Sequence, residues 1–214
     1  MNRFLKRAWA EIDLDALEHN YSEIKKLAKG KDILAVVKAN AYGHDDKAVC
    51  LKLQELGVKY YGVSNLWEGE KLRCHGITGT ILTFGYTDED YFDELLEYGI
   101  TQTAGSVQYA KQLSDYAVSK GVKLPVHIKV NTGMTRVGID SQQEMLDILA
   151  MPGLDCKAAY THFAAADSLD PSDVEYTDRQ QEKLMKIAKD KGLLIHSQNS
   201  GGIIYHGDFG GDIV

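Results

Sequence analysis

From Ile33 onward the chain repeats one pattern: a short apolar run, a polar or glycine-containing loop, then an amphipathic stretch with apolar residues three and four apart. Runs of that length, apolar on both faces, predict strands of a parallel sheet. The amphipathic stretches predict the helices that cover it. Strands are expected at 33–37, 60–64, 80–85, 101–104, 125–130, 156–162 and 193–199, with one more opening at Asp212. Helices are expected around 48–56, 69–73, 90–98, 106–119, 141–150 and 176–191, several of them stopped by a glycine such as Gly57, Gly121 or Gly192. About eight strand signals alternating with helices predict an α/β fold, a (β/α)8 barrel of the TIM type. A doubly wound open sheet is the alternative, because periodicity does not show closure. The last signal, Asp212-Ile213-Val214, has nothing after it, so the barrel is expected to be incomplete at its C-terminal end.

Ahead of the repeat, Ala8 to Leu14 alternates apolar and polar residues and predicts a half-buried strand outside the barrel. A helix through Leu17, Tyr21, Ile24 and Leu27 follows, capped by Asp13 or Asp15 and stopped at Gly30.

Ligands of such folds sit beyond the carboxyl ends of the strands, so polar residues there are the candidates for chemistry. The first strand delivers Lys38, in step with Leu34 and Val36. An amine leaving an apolar wall is partly desolvated, which favours the nucleophilic form and suits imine chemistry. In Pro125 to Asn131, Val126, Ile128 and Val130 are expected to face the helices, with His127, Lys129 and Asn131 facing the barrel interior. An interior lysine is costly unless paired or neutralised, so on its own terms Lys129 is expected near the wet rim. His162 ends a further strand. Asn199-Ser200-Gly201-Gly202 is expected to be a small-residue loop whose freed amides and serine hydroxyl form a phosphate cradle.

The run Val37 to His44, Val-Lys-Ala-Asn-Ala-Tyr-Gly-His, resembles the cofactor-lysine signature of the alanine racemase family. Amino-acid decarboxylases of the same fold type share only the shorter Ala-Val-Lys-Ala-Asn core. The loop Thr132 to Gly138, the strand end Tyr160 to Ala164 and the Asn199-Ser200 pair are similar to further motifs of that family, in the same order. The resemblance implies that Lys38 holds pyridoxal 5'-phosphate (PLP) and is catalytic. It implies further cofactor contacts from Tyr42 to the phosphate, Arg136 to the phenolic oxygen, His162 to the ring, and Asn199 with Ser200 to the phosphate. It also implies carbamylation of Lys129, which would turn a cation into an anion beside Arg136.

The activity implied is interconversion of L- and D-alanine, with serine the next substrate, supplying D-alanine for peptidoglycan. The freed lysine would serve one face of the substrate. A tyrosine from the C-terminal domain of a homodimer partner would serve the other, and an arginine after the last barrel strand would meet the pyridine nitrogen. The chain is expected to stop before both, to carry in 1–14 a strand belonging to that absent domain, and to form the PLP barrel over 15–214. As an isolated piece it is expected to racemise poorly. The alternatives are a single-domain PLP-binding homeostasis protein without turnover, or a serine racemase of the same family. Asp45 departs from the glycine usual in the family at that point, although aspartate tolerates turn geometry well.

Charge and composition narrow the field further. A net charge of −7 with no basic cluster argues against nucleic acid as a partner. Cys50, Cys74 and Cys156 lack metal-ligand spacing and suit a reducing cytoplasm. No run approaches membrane-spanning length, so no membrane segment and no metal are expected.

Overall fold

The computed structural model describes residues 8–214. Seven parallel strands pair in chain order around a curled sheet: β1 Leu34–Val36, β2 Tyr60–Val63, β3 Thr80–Thr83, β4 Ile100–Ala104, β5 Leu124–Lys129, β6 Leu154–Tyr160 and β7 Leu194–His196. The eighth position is a stub. Ile213 bridges His196 on one side and Asp32, just before β1, on the other. Val214 accepts from the Leu34 amide at 2.7 Å and donates to the Asp32 carbonyl at 2.9 Å. This is a (β/α)8 barrel incomplete at its C-terminal end.

The helices are α1 Leu14–Leu27, α2 Lys38–Gly43, α3 Asp46–Glu55, α4 Leu66–Cys74, α5 Phe92–Glu97, α6 Val107–Ser119, α7 Gln142–Leu149, α8 Pro171–Ala188 and α9 Ser200–Tyr205. Between sheet and helices lies the main core, in which Val126, Ile128 and Val130 are fully buried. Each such side chain contributes about 1.5–3 kcal/mol by leaving water. The opposite parity of β5 turns His127 and Lys129 inward, as the alternation predicts. Inside the barrel, Gly62 makes room for Phe84: a Cβ at Gly62 would lie 2.6 Å from the Phe84 ring and 2.9 Å from Leu34.

Several local expectations are corrected. Residues 8–13 form no strand; Trp9 is exposed, and Asp13 caps α1 by accepting from the Asp15 and Ala16 amides at 2.9 Å. Alternation alone does not make a strand without a ladder partner, and none is present among the described residues. The part of the 1–14 segment before Ala8 lies outside them. Helix α8 begins at Pro171 instead of Tyr176, because Asp170 caps it and proline suits the first turn. Strand β6 ends at Tyr160, leaving His162 in the following loop. Asn199 to Gly202 is the start of α9, since the Asn199 side chain accepts from the Gly202 amide at 2.9 Å and nucleates a turn.

Candidate active site

After β1 the backbone does something uncommon. Ala39, Asn40, Ala41 and Tyr42 all adopt left-handed helical angles, with φ between 51° and 57°. For residues with a Cβ this costs roughly 1–2 kcal/mol apiece, so α2 exists only because its surroundings hold it. The Ala39 amide donates to Glu68 Oε1 at 2.8 Å. Asn40 Oδ1 accepts from the Asp46 amide at 3.1 Å and from Lys71 Nζ at 3.4 Å, and Lys71 also pairs with the buried Asp46 at 2.8 Å. Ala41 is buried. Asp45, at φ 68°, accepts from the Ala48 amide at 2.9 Å and caps α3, so the departure from glycine is accommodated. The turn sets Lys38 half-buried at the strand end, its Nζ 5.9 Å from the centre of the exposed Tyr42 ring.

Across the barrel, Lys129 is the last residue of β5 and is buried. Its Nζ lies 4.9 Å from the Tyr160 ring centre and 3.4 Å from Thr161 Oγ1. Burial, reinforced by the charge of Arg136, pushes the amine down to about 7. His196 stacks against Tyr160, rings parallel at 4.6 Å. Thr103 Oγ1 donates to the Thr83 carbonyl at 2.7 Å, so the Tyr160 hydroxyl, 2.8 Å away, is the donor to Thr103. Deeper still, His127 Nδ1 and His196 Nε2 lie 3.0 Å apart. Burial holds His127 down at about 4 and His196 well below its ordinary value, so both are neutral and one donates to the other.

Arg136 is exposed, in the loop closed by the Val130–Ile139 bridge. Asn131 organises that loop, accepting from the Gly133 and Thr135 amides at 3.3 and 3.0 Å and donating to Asp140 at 3.0 Å. It therefore braces the loop instead of facing the barrel interior. Gly133 carries φ 137°, and Tyr176, whose hydroxyl donates to the Gly133 carbonyl at 2.9 Å, fills the space a Cβ would need. His162 lies where these elements meet. Burial first, then the positive charges of Lys129, Arg136 and Lys38, push its imidazole down to about 4. Basic side chains from two sides of the barrel thus act on one neutral histidine.

Asn199 and Ser200 stand on the same rim. Gly201 lets the start of α9 approach the loop after β6: a Cβ there would sit 2.8 Å from the Ala166 carbonyl oxygen and 2.9 Å from the Asp167 nitrogen. The Asn199 carbonyl oxygen is occupied by its cap, leaving its amide, the exposed Ser200 hydroxyl and the first amides of α9. All seven residues singled out from the sequence therefore lie at the carboxyl ends of strands.

Residues without a sequence signal complete the site. Glu68 braces the lysine turn, and Tyr160 supports Lys129. Gln180 donates to Thr132 Oγ1 at 3.2 Å and to the His162 carbonyl at 3.3 Å, and accepts from the Ala164 amide at 3.0 Å. Only Gln180 was detectable, as a polar residue four positions from Tyr176 and from Leu184 on a covered helix face. At the opposite end of the barrel, a cavity of about 350 Å³ is lined by Tyr60, Arg73, Thr101, His127 and Lys157, none of them among the seven.

Among the described residues, no helix is long and apolar enough to cross a membrane. Residues 12–214 match the model of the alanine racemase N-terminal domain. An alanine racemase of Clostridium perfringens (strain SM101 / Type A) is 39% identical over 214 residues, covering 95% of this chain and 55% of the relative. One from Desulforamulus reducens is 38% identical over 207 residues, covering 92% and 55%. Among solved structures, the alanine racemase of Clostridium difficile 630 has a TM-score of 0.91 at 32% identity, covering 99% of this chain and 57% of that one. A histidine racemase of Leuconostoc mesenteroides subsp. sake has a TM-score of 0.89 at 27% identity, covering 100% and 59%. The chain spans little more than half the length of these relatives. Its fold, the match over nearly all of its length and the agreement in sequence place it in the alanine racemase family, over that family's N-terminal domain.

Proposed function

We propose that this chain is the cofactor-binding barrel of a PLP-dependent alanine racemase. The observation that carries the reading is the convergence at one mouth of the barrel of two amines, Lys38 at the strained turn after β1 and Lys129 at the end of β5, with the Arg136 guanidinium in the loop that follows, all acting on the neutral His162. Such a donor set fits a ligand bearing both a phosphate and a phenolic oxygen, and the strained turn presents a primary amine to its aldehyde. When bound, the cofactor supplies an electron-accepting ring that stabilises negative charge at the substrate Cα.

The chain's own residues do the rest. Lys38 Nζ would hold the cofactor and, when free of it, would move a proton at the substrate Cα on one face. Tyr42, Asn199, Ser200 and the first amides of α9 would receive the phosphate, with Gly201 keeping that helix start close to the neighbouring loop. Arg136 would donate to the phenolic oxygen. His162, neutral, would pack against the ring without adding a charge.

Lys129, held near 7, has at neutral pH a large fraction of free amine. That form adds carbon dioxide: an N–C bond forms, a proton leaves, and the resulting carbamate is an anion facing Arg136. Mass spectrometry under native conditions, with and without bicarbonate, tests this; an unmodified Lys129 in both refutes it.

We place the second base on a homodimer partner, in the part of the family's length that this chain does not span. Alanine is the proposed substrate, with serine next, and D-alanine for peptidoglycan the product used. The three free cysteines support placement in a reducing cytoplasm. Adding PLP to the chain should produce the visible absorbance band of a lysine-bound cofactor, absent in Lys38→Ala. Equal spectra for the two proteins would refute the reading. Near-normal turnover of L-alanine by these 214 residues alone would refute the placement of the second base.

A further inference from the structure

The lysine turn is tied to the neighbouring strand through one side chain. Glu68, in the first turn of α4, accepts from the Ala39 amide at 2.8 Å with Oε1, and from the Ser64 amide and hydroxyl, both at 2.7 Å, with Oε2. The two tied backbones are the residue directly after Lys38 and the residue directly after β2. Glu68 is itself held in place, because the Asn65 side chain caps α4 by accepting from the Glu68 amide at 3.1 Å. Both carboxylate oxygens are therefore occupied, Oε1 by a backbone amide and Oε2 by a backbone amide and a hydroxyl that donates to it.

We propose that Glu68 is a positioning residue for Lys38, a carboxylate clamp that holds the left-handed turn against β2 and so aims the lysine amine into the barrel mouth. The inference deepens the cofactor reading and rests on it. Of the residues in α2, Ala39 has the least to hold it otherwise: it is exposed, and its side chain is a methyl group. Without an acceptor its amide would be left without this bond in a backbone conformation that already carries strain. Gln at 68 cannot replace the clamp, since its single carbonyl oxygen serves one side and its amide nitrogen opposes the donor on the other.

The clamp also brings a negative charge beside the lysine. Groups facing Lys38 are Tyr42 from its own turn, Glu68 from α4, and His162 across the mouth, where the Arg136 guanidinium adds positive charge. The Glu68 carboxylate opposes that charge and would favour the protonated form of a lysine-bound cofactor.

Two measurements on this chain test the inference. Without cofactor, hydrogen exchange at the Ala39 amide should be slow in the wild type and speed up about fivefold or more in Glu68→Ala. With PLP, Glu68→Gln should form the lysine-bound band about tenfold more slowly. The pH midpoint of that band should fall by about half a unit or more. Glu68→Asp, which keeps the charge, should recover the midpoint better than the rate. A purely structural role would leave the midpoint where it is. Unprotected exchange at Ala39 in the wild type, or a Glu68→Gln protein with wild-type rate and midpoint, overturns the inference. If the wild type itself forms no band, the cofactor reading fails and the positioning role falls with it.

Discussion

Lys129 Nζ sits 4.9 Å from the centre of the Tyr160 ring, which His196 stacks against at 4.6 Å. Among the described residues it forms no ion pair with a carboxylate, so its stabilisation comes from the ring face and one long contact to Thr161. The folded protein holds this lysine near 7, below the 10.5 of an ordinary one. Between those values the unfolded chain binds more protons than the folded one, so stability should rise with pH across that window and fall as pH drops toward 7. In buffer free of carbon dioxide, Lys129→Met should flatten that slope and stabilise the protein at pH 7 by about 1–4 kcal/mol, read by urea unfolding. An unchanged slope would mean that the amine is solvated.

The His127–His196 pair acts in a lower window. Both rings are neutral in the fold, with His127 near 4 against an ordinary 6.5. Their contribution is fully present above pH 6.5 and is lost as pH falls toward 4. The loss should reach about 1.4 kcal/mol per pH unit for each histidine. Unfolding free energies at pH 7, 6 and 5 measure this, and His127→Asn should remove about half of the slope.

The left-handed turn makes opposite predictions for two alanines. Ala39→Gly removes the Cβ penalty at an exposed position and should stabilise the fold by up to about 1 kcal/mol. Ala41→Val places a branched side chain in the same backbone conformation at a buried site, and should destabilise it by about 2 kcal/mol or more. Thermal midpoints of the two variants, moving in opposite directions, would confirm that the turn is held by its neighbours.

Gly62→Ala tests the packing of the barrel interior. The new methyl group would meet Phe84 at 2.6 Å and Leu34 at 2.9 Å, and overpacking of that kind costs about 1–3 kcal/mol. Because Leu34 leads into the lysine turn, the variant should also bind PLP more weakly. Wild-type stability together with wild-type binding would contradict this account.

The barrel was legible in the chain because each strand and helix is coded locally. Ile33 to Val37 is apolar throughout, and Val126, Ile128 and Val130 alternate with His127 and Lys129 on a strand whose two faces meet different surroundings. The candidates Lys38, Lys129 and His162 came from a related rule, that a barrel delivers its strand ends to one mouth, whereas Arg136, in a loop seven residues beyond Lys129, was reached only through the resemblance of its motif. The Ala8 to Leu14 segment alternates too, but alternation encodes a face and supplies no ladder partner, and residues 8–13 find none among the described residues.

What the sequence alone determined was the order of elements and the identity of the polar side chains at their ends. Only the tertiary structure decided how Lys38 is aimed, because a left-handed run of Ala39, Asn40, Ala41 and Tyr42 contradicts every local preference and is held by Glu68, Lys71 and Asp46 from elsewhere in the chain. It also decided that Lys129 is buried and that His162 is neutral, since desolvation and the field of neighbouring basic groups exist only once the strands have been brought together.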